Sequence, residues 1–80
     1  MKIVHEYLTR REQDTLNYII LFIKNNSFPP TIREIARGLN LSSPATVQTY
    51  VDNLEKKKYI SKYKKGARTI KVLKGVDLND

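Results

Sequence analysis

Six residues between positions 42 and 49 carry side chains suited to reading the polar edge of another molecule: Ser42, Ser43, Ala45, Thr46, Gln48 and Thr49. The Gln48 amide offers an acceptor beside donors, the pattern that pairs bidentately with an adenine edge in a DNA major groove. Ala45 and the Thr46 methyl suit contact with a thymine methyl, while the Ser43 and Thr49 hydroxyls can bond bases or phosphates. Ser42 and Ser43 precede Pro44, and Thr31 follows Pro29-Pro30, so both segments open helices whose unpaired amides attract phosphate. Lys57, Lys64, Lys65 and Arg68 supply cations for backbone phosphates, contacts that fix register without reading sequence. About six such contacts would give affinity a log–log salt slope near −5.

These residues need elements to hold them. Residues 1–8 show no period and read as an N-terminal arm ending in Leu8. Thr9-Arg10-Arg11-Glu12 fits a capping box, and Leu16, Ile19, Ile20 and Ile23 follow as one apolar stripe, predicting a first helix over 10–25. Asn25-Asn26-Ser27 and the two prolines stop it. Thr31-Ile32-Arg33-Glu34 is a second capping box, and Ile32, Ile35, Ala36 and Leu39 form the stripe of a short second helix. Gly38 lies in its last turn, and Asn40 tolerates the left-handed conformation that ends many helices. Ser43 caps a third helix with Pro44 at its first position and Val47, Tyr50, Val51 and Leu54 on its buried face.

The period then changes. Residues 59–63 and 69–73 suit strands, with Ile70 and Val72 facing inward and Thr69 and Lys71 outward. Gly66 supplies the positive φ of a short turn between them. A lone hairpin is unstable in water, so this one must lean on the helices as a wing. The expected fold is mainly α with a small β-hairpin, a three-helix winged helix-turn-helix over 9–73 with a polar tail over 74–80.

Composition narrows the function. Eighty residues allow one modest core and no deep catalytic cleft. With no cysteine there are no disulfides or thiolate zinc sites, which suits a reducing cytoplasm. No apolar run approaches a membrane span, and no secretory signal follows Met1. His5 is the only histidine and lacks catalytic or metal-ligand neighbours, so no enzyme, metal or cofactor is expected. The net charge is +7, with nine of the 15 lysines and arginines lying between Lys56 and Lys74 and no acid among them. That cationic end points to a polyanion, above all nucleic acid. Tyr7, Tyr50, Tyr59 and Tyr63 have spacing that fits core and wing packing better than a base-stacking platform. Asp52 and Glu55 are expected to pair with nearby lysines on the helix surface.

The segments LTRREQDTLNYIILFI, FPPTIREIARGLNLSSPATVQTYVDNLEKKKYI and ARTIKVL together resemble the N-terminal DNA-binding domain of the LexA repressors, over about residues 8–73. The resemblance implies a repressor that binds an inverted-repeat operator as a dimer, in bacteria or their phages, with the helix starting near Ser43 in the groove. Four departures stand out. The chain ends at Asp80 without the family's cleavage site or Ser-Lys dyad, so self-cleavage during DNA damage, the trigger of the SOS response, is not carried over. Lys58 replaces a customary glycine, which predicts a reshaped junction after the third helix. Asn40 replaces another. The reading positions Ala45, Thr46, Gln48 and Thr49 differ from the family's usual ones, and Asp52 stands where a cation belongs. A second reading is a small protein-interaction factor that modifies a host repressor or polymerase.

Overall fold

A computed structural model describes residues 7–63 and 66–73. Three helices, α1 (Arg10–Asn26), α2 (Ile32–Gly38) and α3 (Pro44–Lys56), lead into strands β1 (Ile60–Lys62) and β2 (Ile70–Val72). This is a winged helix-turn-helix, mainly helical, as the patterning predicts. Each helix starts at its cap. The Thr9 hydroxyl accepts from the Glu12 amide and the Glu12 carboxylate accepts from the Thr9 amide, both at 3.1 Å. Thr31 and Glu34 repeat this box at 3.1 and 2.9 Å. Ser43 caps α3 more loosely, accepting from the Thr46 amide at 3.4 Å, with Pro44 in the first turn.

The helix ends explain two of the departures. Asn40 takes φ 60° and Lys58 takes φ 71°. After α2, the Leu41 amide donates to the Ala36 carbonyl and the Asn40 amide to Arg37. After α3, the Tyr59 amide donates to Leu54 and the Lys58 amide to Glu55. Both are Schellman closures, which need one left-handed residue and favour glycine there. The junction at Lys58 is therefore not reshaped as expected. The turn is kept, and a lysine carries the steric cost of a conformation that crowds its Cβ.

Leu16 and Ile19 of α1, Ile35 and Ala36 of α2, and Val47, Val51 and Leu54 of α3 form the core with Ile60 and Ile70 of the strands. Ile20, Ile23 and Leu39 pack at its margin, as does Leu8, and Tyr50 is half-buried rather than fully enclosed. Gly38 is more than a late-turn residue: a Cβ there would collide with the outer end of the Tyr18 ring of α1, so any larger residue would require that side chain to move. The hairpin is antiparallel, pairing Ile60 with Val72 and Lys62 with Ile70. Bonds from Leu73 to Tyr59 and from Tyr63 to Thr69 extend it over the expected residues, and Gly66 takes φ 111°. Tyr59 packs on the core, but Tyr7 and Tyr63 stand exposed, contrary to the packing expected of them. The first six residues of the arm, with His5, and the tail over 74–80 lie outside the described residues.

Two ion pairs tie distant elements to the helix caps. Lys57 Nζ, at the end of α3, donates to Glu12 Oε1 at 2.7 Å and to the Tyr7 carbonyl at 2.9 Å, while Asn53 donates to Glu12 Oε2 at 3.0 Å. Arg68 grips Glu34 with two nitrogens at 2.7 and 2.8 Å, donates to the Pro29 carbonyl and lies 4.6 Å over the Phe28 ring. Burial pushes the Glu12 carboxyl up, but the bonds from Lys57, Thr9 and Asn53 together outweigh it and leave it lowered. The Arg68 guanidinium, helped by the Thr31 amide, holds Glu34 down from 4.5 to about 2.

Replacing Lys58 by glycine removes the left-handed strain, and stability should rise by about 0.5–1 kcal/mol, read as a higher Tm in thermal melts. For Glu34 the folded value lies below the unfolded one, so its contribution is complete above 4.5 and lost as pH falls toward 2. Glu34→Gln should accordingly make the acid limb of a stability–pH curve shallower. An acid limb identical to that of the unmodified chain would show that the pair with Arg68 is not formed in solution.

Candidate nucleic-acid interface

With Val47, Val51 and Leu54 fully buried, the positions of α3 on the opposite side of the helix turn outward by the helical period. Ala45, Thr46, Thr49 and Asp52 are exposed, as is Ser42 ahead of the helix, and Gln48 and Ser43 are half-buried. The Thr49 hydroxyl proton goes to the Ala45 carbonyl at 3.2 Å, which leaves its oxygen as an acceptor. The outward surface near the start of α3 is thus short-chained, polar and free of charge before Asp52.

One groove runs beside this face. Thr31, Ile32 and Arg33 line it from α2, Gln48 from α3, and Lys62, Tyr63, Gly66, Ala67 and Thr69 from the wing. The fold therefore brings Thr31 and Gln48, far apart in sequence, onto one surface. A second groove, lined by Arg33, Arg37, Asn40, Leu41, Ser42 and Pro44, follows the turn between α2 and α3. Arg33 belongs to both. Arg33 and Arg37 are exposed cations next to the start of α3 that the sequence reading did not single out. Their i, i+4 spacing, on the face opposite Ile35, was the available signal.

The expected phosphate-binding cations separate into two kinds. Lys57 and Arg68 hold Glu12 and Glu34, and the Lys57 side chain is only 19% exposed. Lys64 and Lys65 lie outside the described residues. Asp52 and Glu55 pair with a lysine as expected, but the partner is Lys62 of β1 rather than one on the helix, at 2.7 and 3.4 Å. Gln48 Nε2 also donates to Asp52, at 2.9 Å. The Lys62 bond, then the Gln48 bond, keeps the Asp52 carboxyl below its usual range, and the Asp52 bond raises the Lys62 ammonium above its own. Both are therefore charged at neutral pH.

Among the described residues, no helix is long and apolar enough to cross a membrane, and no group of three or more His, Cys, Asp or Glu side chains is placed to hold a metal.

Comparison with known proteins identifies the family. A family model described as the LexA DNA binding domain matches residues 5–69. A LexA repressor of Bacillus mycoides is 38% identical over 68 residues, covering 85% of this chain and 33% of that protein. A LexA repressor of Carboxydothermus hydrogenoformans is 42% identical over 55 residues, 69% of this chain and 27% of that protein. The chain thus spans about a third of the length of the curated relatives it matches. The matched part is their DNA-binding domain, which is non-enzymatic. With a capped trihelical core, a wing and this match over most of its length, the chain belongs to the LexA DNA-binding domain family.

Proposed function

We propose that this chain is a sequence-specific, double-stranded DNA-binding domain of a cytoplasmic transcriptional repressor, and that α3 lies in the major groove. The observation that carries this reading is the uncharged, short-chained face of α3, flanked on one side by the wing and on the other by exposed arginines of α2. Such a face allows close approach to base edges, and its neighbours supply positive charge for the strands on either side. Gln48 reads an adenine, Ala45 and Thr46 meet thymine methyls, and Thr31, Ser42, Ser43 and Thr49 bond phosphates or bases. Family membership supports an inverted-repeat operator occupied by two copies of the domain, since two-fold operators mirror two-fold dimers.

The phosphate contacts come mainly from cations of α2 and of the wing. Arg33 and Arg37 join Lys64 and Lys65 in this role, whereas Lys57 and Arg68 must first release a glutamate. About four effective contacts replace the six expected from the sequence.

Random-duplex selection followed by gel shifts at several salt concentrations tests the reading. An enriched inverted repeat and a log–log salt slope of about −3.5 are expected, the slope following from about four neutralised phosphates. Binding without any enriched motif would leave only an electrostatic coat and turn attention to protein partners. On the selected duplex, Gln48→Ala should cost about 1–3 kcal/mol, confined to changes at one base pair. Arg33→Ala should weaken all duplexes alike and flatten the salt slope by about one.

A further inference from the structure

Gln48 and Asp52 are four residues apart on the outward face of α3, and the Gln48 amide nitrogen donates to Asp52 Oδ1 at 2.9 Å. The same oxygen accepts from Lys62 Nζ of β1 at 2.7 Å, and Lys62 also reaches Glu55 at 3.4 Å. The carboxylate is ionised and can only accept, so the amide must turn its NH2 toward it. A glutamine without such a partner has a broad, two-fold terminal torsion and presents either end at little cost. Held by Asp52, Gln48 has two groups left for a ligand, its carbonyl oxygen and its second N–H.

An acceptor beside a single donor complements adenine, whose major-groove edge sets the N6 donor next to the N7 acceptor. Guanine sets two acceptors there, O6 and N7. An unrestrained glutamine can rotate and donate to both. A held one meets guanine with its carbonyl against an acceptor, or must break the bond to the carboxylate. We infer that Asp52 is a positioning residue for base recognition: it holds the Gln48 amide in the orientation that accepts adenine and rejects guanine, and Lys62 of the wing keeps it there. The inference rests on the reading of α3 as the groove-facing helix. It also gives a role to an acidic residue whose charge, facing DNA, weakens binding to every sequence.

The test repeats the duplex selection with the 80-residue chain and its Gln48→Ala, Asp52→Ala, Asp52→Glu and Gln48→Ala/Asp52→Ala variants. The readout is the adenine-to-guanine affinity ratio at the base pair whose preference Gln48→Ala removes. Asp52→Ala should lower that ratio about tenfold, the scale of one well-formed base contact. Asp52→Glu, which keeps a carboxylate within reach, should preserve it. In the Gln48→Ala background, loss of Asp52 should leave the ratio unchanged. Asp52→Ala that strengthens binding to all duplexes with an unaltered ratio overturns the inference, and leaves a repulsive charge and an intact DNA-binding reading. A Gln48→Ala chain that keeps every base preference of the original also overturns the inference, because Gln48 then reads no base, whereas the DNA-binding reading itself fails only if the original chain enriches no motif.

Discussion

Glu12 and Glu34 each serve a local partner and a distant one. Glu12 closes the cap of α1 and accepts from Lys57 and Asn53 of α3, 45 and 41 residues away. Glu34 closes the cap of α2 and accepts two bonds from Arg68 of the wing, 34 residues away. A carboxylate has room for this because its two oxygens together offer about four acceptor sites. The local bonds fix where a helix starts, and the distant ones fix what lies against that start. Through Glu12 the end of α3 is held to α1. Through Glu34 the wing is held to α2, so the groove between wing and α3 keeps its shape.

The energies divide the labour. Burying a side chain such as Leu16 or Leu54 contributes roughly 1.5–3 kcal/mol, whereas a partly exposed ion pair contributes about 0–1 kcal/mol. Packing therefore decides that the three helices associate, and the Glu34–Arg68 pair decides mainly the angle and position of the wing. Glu12 is a different case. Its side chain is only 4% exposed, so its charge depends on Lys57, Thr9 and Asn53 for compensation. Such a buried charge is costly to leave alone, more costly than the intact pair is favourable. Lys57 is for that reason a structural cation first.

The same reasoning orders the surface. Where lysine or arginine meets a glutamate across elements, charge is used to hold the fold. Where it stands exposed on α2, as at Arg33 and Arg37, it is available to an anion. Between these lies the uncharged start of α3, followed by the small network of Gln48, Asp52 and Lys62. That network joins wing strand and helix through one carboxylate oxygen, so under the proposed function the wing bears on base reading as well as on the DNA backbone.

Much of this was legible in the sequence because it is governed by neighbours along the chain. Capping boxes span three residues, apolar stripes repeat within two turns, and a proline or a left-handed asparagine acts where it stands. Those signals determined three helices, their starts and ends, a hairpin around Gly66 and an outward face containing Gln48. Lys58 shows their limit, because the Schellman bonds and the packing beyond them held a turn that the residue itself disfavours. Tertiary structure alone decided which cations were free, which side chain Gly38 packs against, and which lysine meets Asp52. Lys57 and Arg33 are equally basic as letters, but one faces Glu12 and the other solvent. Spacing along the chain fixes the face a side chain occupies, and only the packing of one element on another fixes what that face meets.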